Sequence, residues 1–320
     1  MRSDLSTGRA SDAPHYVSDF ADEAVVQIDS VKLDERRSNL WIDAWRDLRR
    51  RPVFWVSGVL ILFITVVALF PGLFTSVDPR FCDIAKSNAG PEAGHVLGYT
   101  RQGCDVYARI VTGTGTSLSV GLIVVLLTSV LGILFGSLAG YYGGVVDAVL
   151  SRAGDIFFSI PYILAAVVIM SVLSAHRNIF VISLAIGLFA WPSTARVMRA
   201  EVMRVKNADF VMASIALGLS RFRILLRHVL PNAIAPVIVI STISLAAAIT
   251  AEATLSFLGV GLPNSIMSWG NDISQAQATL RTEPMPLIWP SLALIVTVLS
   301  FILMGEALRN ALDPRARARR

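Results

Sequence analysis

Asp209-Phe-Val-Met-Ala-Ser-Ile-Ala-Leu-Gly218-Leu-Ser-Arg-Phe-Arg-Ile-Leu-Leu-Arg227-His228-Val-Leu-Pro231-Asn-Ala-Ile-Ala-Pro236 stands between two long apolar tracts. A plain loop is expected in such a place, yet the stretch has helical spacing. Phe210, Ala213 and Leu217 recur at intervals of three and four, so they share one helix face. Asp209 suits the N-cap or the first turn. Ala213, Ser214 and Ala216 keep one flank thin enough to enter a groove on a partner. Gly218 ends the helix by taking a left-handed conformation. A second helix is expected from Ser220 to His228, with Pro231 where the chain turns back into apolar sequence. A push on the first helix would then pass rigidly into the next tract. The stretch reads as a docking element or as an interfacial helical hairpin without a partner.

The surroundings decide what kind of loop this is. Of 320 residues, 54% are hydrophobic and 16% are charged, against about 25% charged in ordinary soluble domains. Six tracts lack ionisable residues: 52–77, 110–146, 156–175, 178–195, 229–251 and 284–305. A spanning helix needs about 20 apolar residues. Soluble helices carry a polar face, and these tracts carry none. The chain is therefore expected to be an all-α integral membrane protein with six transmembrane helices. The net charge of +5 is no sign of nucleic-acid binding, because the basic residues flank the spans without interleaved aromatic stacking residues.

In chain order, residues 1–37 are polar and read as disordered or loosely structured. No apolar h-region precedes residue 52, so no cleavable signal peptide is expected. Ser38 is a candidate cap for a helix over 39–51, with Leu40, Trp41, Ala44, Trp45 and Leu48 on one face. Spans are expected at about 53–74, 115–141, 147–173 (kinked at Pro161), 178–197, 231–253 and 285–307.

Lys and Arg near the span ends set the orientation. If both termini are cytosolic, 17 basic residues lie inside and 6 outside. Seven of the 17 are in the 196–228 loop: Arg196, Arg199, Arg204, Lys206, Arg221, Arg223 and Arg227. The 209–231 stretch is then cytosolic. Cys82 and Cys104, the two cysteines of the chain, are then extracytoplasmic, where a disulfide persists. They form a bridge or remain two free thiols. With His95 alone nearby they fall short of a metal site.

Glu252 follows a long uncharged run, near the outer end of the fifth span. It is a candidate for the translocation path, or else an acid wet by an outer vestibule. Ser256, Phe257 and Trp269 belong to a segment expected to dip into that vestibule or to pack as a plain loop. Arg152 and Asp155 are expected to form a helical ion pair.

Several of these stretches resemble one family. Met212-Ala213-Ser214, three residues, Gly218, nine residues and His228-Val229-Leu230-Pro231 are similar to the EAA loop (E-A-A, x3, G, x9, I-x-L-P) of ABC importer permeases, with Met212 at the usual Glu position. His95-Val-Leu-Gly98-Tyr-Thr-Arg-Gln-Gly103-Cys-Asp105-Val-Tyr-Ala-Arg109 resembles the LGTDxxGRD segment of dipeptide and oligopeptide permeases. Gly140-Tyr-Tyr-Gly-Gly144 with Asp147, Arg152, Asp155 and Pro161 resembles their second cytosolic turn. Glu252-Ala-Thr-Leu-Ser256-Phe-Leu-Gly259 with Ser268-Trp269-Gly270 resembles their ESALSFLG…SWG segment, and Ala307-Leu-Arg309-Asn-Ala-Leu-Asp313-Pro314-Arg315 their ALRDxLDPR end.

The resemblance implies a type I ABC importer permease fold and the C-type permease subunit of a peptide importer. On that reading residues 1–51 are a cytosolic tail with an amphipathic helix, and 52–112 are the first span and its extracytoplasmic loop. Residues 113–309 form the core permease domain with a coupling loop at 207–230, and 310–320 are a basic tail. Asp209, Phe210, Met212, Ala213, Ser214, Gly218, His228, Leu230 and Pro231 would meet the ATPase. The implied partners are a homologous second permease, two cytosolic ATPase domains, an extracytoplasmic solute-binding protein, a peptide substrate and the bilayer. The sequence has no G-x4-G-K-[ST] phosphate loop, so ATP and Mg are expected on the ATPase chains and no cofactor on this one. Nickel, opines or glutathione are the alternative cargoes. A secondary transporter would need charges at mid-depth in the spans, and the spans have none.

Overall fold

A computed structural model describes residues 40–312. The expected cap at Ser38, the N-terminal tail and the basic C-terminal tail from Asp313 lie outside the described residues, as do the side chains of Leu40 and Trp41.

The described chain is helical. Helix α1 (Leu40–Leu48) leads to α2 (Pro52–Leu69), with Pro52 in its first turn. The third helix, α3 (Val106–Tyr142), starts earlier than the apolar tract because Asp105 caps it, accepting from the Ala108 N–H at 2.6 Å. At 37 residues it is about 55 Å long, so it outreaches a hydrocarbon core of ~30 Å. Then come α4 (Gly144–Ser159) and α5 (Tyr162–Val172). The kink expected at Pro161 is a full break of 75° between them. Ile160 precedes proline and is therefore extended, with φ −95° and ψ 119°.

Asn178 caps α6 (Ile179–Val205), accepting from the N–H groups of Phe180 and Val181 at 2.9 and 3.0 Å. This helix carries the apolar tract onward into charged sequence. Next stand α7 (Asp209–Ala216), α8 (Arg221–Ile224), a π-helical stretch Leu225–Val229, α9 (Leu230–Ala233) and α10 (Ala235–Phe257). Last come α11 (Trp269–Ala276) and α12 (Met285–Leu312). Five helices are long and apolar enough to cross a membrane, and the bent pair α4–α5 makes a sixth span if counted as one.

The tightest helix pair is α3 with α6. Gly132, Gly136 and Gly140 lie one turn apart on α3. A Cβ added to them would come within 2.6 Å of Thr194 Cβ, 2.4 Å of Ala195 O and 2.7 Å of Arg199 O respectively. Three absent side chains thus bring the α6 backbone against α3, as small residues do between membrane helices. Elsewhere Val120, Val124, Met170, Ile182, Ile186 and Leu255 form a core shared by α3, α5, α6 and α10. Ala44 and Leu48 of α1 pack on Ala307 and Ala311 of α12, while Trp45 stays exposed beside Phe54.

A loop with no regular strand joins α2 to α3. Cys82 and Cys104 are joined in it by a disulfide. Lys86, Glu92 and Tyr99 bond one another there. The Lys86 ammonium and Tyr99 hydroxyl hold the Glu92 carboxyl below its usual range, and Glu92 in turn pushes the Lys86 amine up.

Gly136→Ala is expected to cost about 1–3 kcal/mol, because backbone rather than a pliable side chain meets the new methyl. The check is thermal unfolding of the purified protein in detergent. Gly72→Ala, whose methyl meets nothing within 4 Å, should leave the melting temperature unchanged.

Candidate functional site

The end of α6 builds the first site. Lys206 leaves that helix to donate to Gly140 O at 2.8 Å, covering a carbonyl at the α3 terminus. Arg199 binds both oxygens of Asp147 at 2.5 and 2.6 Å, and Arg196 reaches Asp155 at 2.9 Å. The expected pair of Arg152 with Asp155 is looser, at 3.9 Å. Asp155 turns to α6 instead, so the two ion pairs hold α4 and α6 together.

Helix α7 follows within four residues. Ala208 is its N-cap and Asp209 falls in the first turn, where an acid favours the positive end of the helix dipole. Val211 and Ser214 face inward. Val211 joins a core of Met198, Val202, Ile224, Leu225 and Val229, which ties α7 to both the preceding and the following helix. The other faces are unpartnered: Phe210, Met212, Ala213, Ile215 and Leu217 are exposed, Leu217 at 81%. An apolar set of that kind on a polar loop is the mark of an interaction surface.

Gly218 closes the helix as expected. Its φ is +77°, its N–H donates to Ile215 O at 2.9 Å and the Leu219 N–H reaches Ser214 O at 3.3 Å. These two bonds are a complete Schellman cap. A Cβ on Gly218 would meet nothing within 4 Å, so its backbone conformation alone requires glycine.

Two coupling candidates point elsewhere. Ser214 is buried, with its hydroxyl donating to Phe210 O at 2.8 Å, and Leu230 is half-buried against the same core as Val211. The one-face reading missed both because it had no view of what α7 rests on. The second helix also differs. It is α-helical for one turn and then widens over Leu225–Val229, where the Leu230 N–H donates to Leu225 O. Pro231 has no N–H to give and its ring crowds the preceding turn. The Asn232 side chain covers His228 O at 2.7 Å. His228 is half-exposed and Pro231 exposed at this joint.

The second site lies at the opposite ends of α3 and α10, and it corrects the reading of Glu252. That carboxylate is fully buried. It accepts from the hydroxyls of Ser256 and Ser268, each at 2.9 Å, and of Ser117 at 3.3 Å. In place of the water expected around it, it has these three hydroxyls. The chain folds back so that Ser268 returns to it, and Ser268 also caps α11 through the Asn271 N–H at 3.1 Å. Ser256 and Trp269 are buried as well, with Trp269 Nε1 donating to Ile110 O at 3.1 Å. Of the four vestibule candidates only Phe257 is exposed.

Beside this knot Arg109 donates to Asp272 Oδ1 through Nε, at 2.7 Å, and through its terminal nitrogen. Burial pushes the Asp272 carboxyl up, and the Arg109 guanidinium opposes that. A concave surface of another kind opens where α4 breaks from α5. Val124, Thr128, Phe158, Tyr162, Ser193 and Ser244 help line a cavity of about 400 Å3 with no charged side chain. No sequence signal singled it out, although the proline break was its cause.

Known proteins match this arrangement. The sequence profile of the family described as binding-protein-dependent transport system inner membrane component fits residues 132–318. The profile described as N-terminal TM domain of oligopeptide transport permease C fits residues 39–91. An oligopeptide transport system permease protein of Bacillus subtilis is 31% identical, covering 90% of this chain and 94% of its own. A glutathione transport system permease protein of Pectobacterium atrosepticum is 32% identical, with coverages of 87% and 92%. A dipeptide transport system permease protein of Alkalihalophilus pseudofirmus is 32% identical, with coverages of 87% and 91%. Among solved structures, a chain of a methionine ABC transporter in inward-facing conformations overlays with a TM-score of 0.53 at 20% identity, covering 64% of this chain and 96% of its own. That likeness is one of fold. With a profile over more than half its length and relatives aligned nearly end to end, the chain belongs to the binding-protein-dependent transport system inner membrane component family and is a multi-pass protein of the cell membrane.

Proposed function

We propose that the chain is the non-catalytic permease subunit of an ATP-driven importer of short peptides. The names of its relatives support the cargo: oligopeptide, dipeptide and glutathione permeases align over most of the chain, and glutathione is itself a tripeptide. A second, homologous permease completes the path, and an extracytoplasmic binding protein delivers the peptide. Separate ATPase subunits carry ATP and Mg. The bias of 17 basic residues against 6 supports cytosolic termini, with α7 on the cytosolic side and the disulfide loop outside.

One observation carries the coupling role. The exposed face of α7 sits on a helix anchored by Val211 to the ends of α6 and α10. A partner that grips Phe210, Met212, Ala213, Ile215 and Leu217 moves the bundle with it. Closure of the ATPases on ATP would bias the spans between two arrangements. The cavity at the α4–α5 break supports a path that shows the cargo hydroxyls and aromatic rings but no charge.

Ala213→Arg is expected to abolish co-purification of the ATPase subunits while membrane insertion is retained. Retained ATPase capture would overturn the docking role. At Gly218, Asn tolerates positive φ and should preserve coupling. Val should lose it, since a left-handed L-residue costs about 1–2 kcal/mol and a β-branched one more. ATP hydrolysis stimulated by loaded binding protein reads both. Proteoliposomes holding the whole complex should take up a labelled tripeptide with ATP. Uptake of Ni2+ or an opine but no peptide would refute the peptide assignment.

A further inference from the structure

The corner between α1 and α2 carries arginine and aromatic side chains that neither the ATPase-facing helix nor the cavity at the α4–α5 break uses. Helix α2 has 18 residues and is therefore about 27 Å long, against ~30 Å for a hydrocarbon core. It has no length to spare, so Pro52 lies at one membrane boundary and the turn before it lies at headgroup depth. Ala44 and Leu48 of α1, packed on Ala307 and Ala311 of α12, hold α1 beside that boundary.

A second side of α1 is uncovered. Ile42, Trp45 and Arg49 recur at intervals of three and four and share it. The Arg49 N–H donates to Trp45 O at 3.1 Å, so the helical turn reaches Arg49. Ile42 and Trp45 are half-exposed. Helix α2 then adds to the same corner. The Trp55 indole Nε1 donates to Arg49 O at 3.0 Å. The Trp45 ring meets Phe54 edge-on at 5.9 Å, and Phe54 meets Trp55 at 5.6 Å. Trp55 is half-exposed as well. The main chain of Arg49 is thus tied to both tryptophans, and the aromatic rings hold one another in place.

The charges at this corner are unequal. Asp47 holds Arg51, accepting from Nε at 3.0 Å and from the terminal nitrogen at 2.8 Å. Arg49 and Arg50 are exposed and have no acidic partner among the described residues. Two guanidinium groups at headgroup depth, flanked by half-exposed indoles, match a ligand that is anionic at one end and apolar at the other.

We infer that this corner binds an anionic phospholipid of the surrounding bilayer, with its phosphate on Arg49 and Arg50 and its glycerol and upper chains against Trp45 and Trp55. Phosphate oxygens suit the planar guanidinium fork. Indoles favour the boundary, where one edge is wet and the other apolar. A basic cluster directly beside a spanning helix attracts anionic lipid, whereas a zwitterionic lipid brings a cation that opposes the arginines. A soluble anion would leave the exposed rings without a partner. The binding depends neither on the cargo nor on which side of the membrane the termini lie.

The probe is phosphatidylglycerol brominated near the ester end of its chains, because bromine quenches tryptophan fluorescence at short range. The full-length chain is placed in nanodiscs of mixed phosphatidylcholine and phosphatidylglycerol. Two preparations have the same composition and differ only in which lipid carries the bromine. The signal of the corner is the difference between the native chain and Trp45→Phe/Trp55→Phe. Phosphatidylglycerol should be favoured there by about twentyfold, two factors of about five for two cations near the surface. Arg49→Gln and Arg50→Gln should each remove about one factor of five, and the double variant the whole preference. Both side chains are exposed, so the melting temperature should hold. Equal quenching by the two lipids overturns the inference and leaves the corner to a protein occupant. A preference that survives in the double variant overturns it too, since the arginines would then not carry it. So does loss of the preference on adding inorganic phosphate, compared with chloride at equal ionic strength, because the site would then take soluble anions.

Discussion

The contact of α3 with α6 at Gly132, Gly136 and Gly140 is the constraint on which the rest depends. Lipid tails are as apolar as leucine, so helices in a bilayer gain little from hiding apolar surface against each other. They gain from close packing, and close packing needs small side chains at the crossing. Here it brings the α3 glycines against the backbone of Ala195 and Arg199. The same contact fixes where α6 ends, and therefore where α7 begins. It also leaves Arg199 opposite Asp147 and Lys206 opposite Gly140. The polar contacts at this end of the bundle follow from a glycine register in the middle of it.

Polar groups inside the bundle are handled by pairing within the chain. Glu252 has three hydroxyl donors, from Ser117 on α3, Ser256 on its own helix and Ser268 at the α11 cap. Removing water from a carboxylate is expensive unless such donors replace it. The knot therefore binds three elements at one point and holds the C-terminal end of α10. Arg109 with Asp272 adds a second tie between α3 and α11. Such ties hold geometry, and they do not by themselves make a path for cargo.

Much of this was legible in the sequence, and the limits have physical causes. The apolar tracts located the spans because a bilayer demands uncharged length, and Gly218 ended α7 because glycine alone takes positive φ at little cost. Helix starts were misplaced where a polar cap lies outside the apolar tract, as Asp105 does before α3. Pro161 announced a bend, but not that Ile160 would leave the helix altogether. Glu252 was misread for a different reason. Depth in a span is visible from spacing, whereas burial depends on Ser268, which is 16 residues away and returns only through the turn between α10 and α11. Asp272 gave no signal at all, because its partner Arg109 lies 163 residues away in the chain.

The mechanical consequence of the α7 mounting is an asymmetry between its two neighbours. Val211 rests on side chains from α6 and from the segment leading into α10, so a load on α7 reaches both. The route into α6 is stiff: two Arg–Asp pairs and a glycine contact without slack hold the helix, and its one internal proline, Pro192, lies well before the end that leads to α7. The route into α10 passes through a widened turn and two prolines, Pro231 and Pro236, each lacking an N–H to donate. Beyond them α10 is stiff again, and its far end is pinned by Glu252. Along the route into α10, residues 229–236 hold the widened turn and both prolines, so a load on α7 meets the softest part of that route there. The sequence reading had this segment as a rigid rod. The widened turn and the two prolines make it instead the more deformable part of that route, between α7 and the buried knot at the far end of α10.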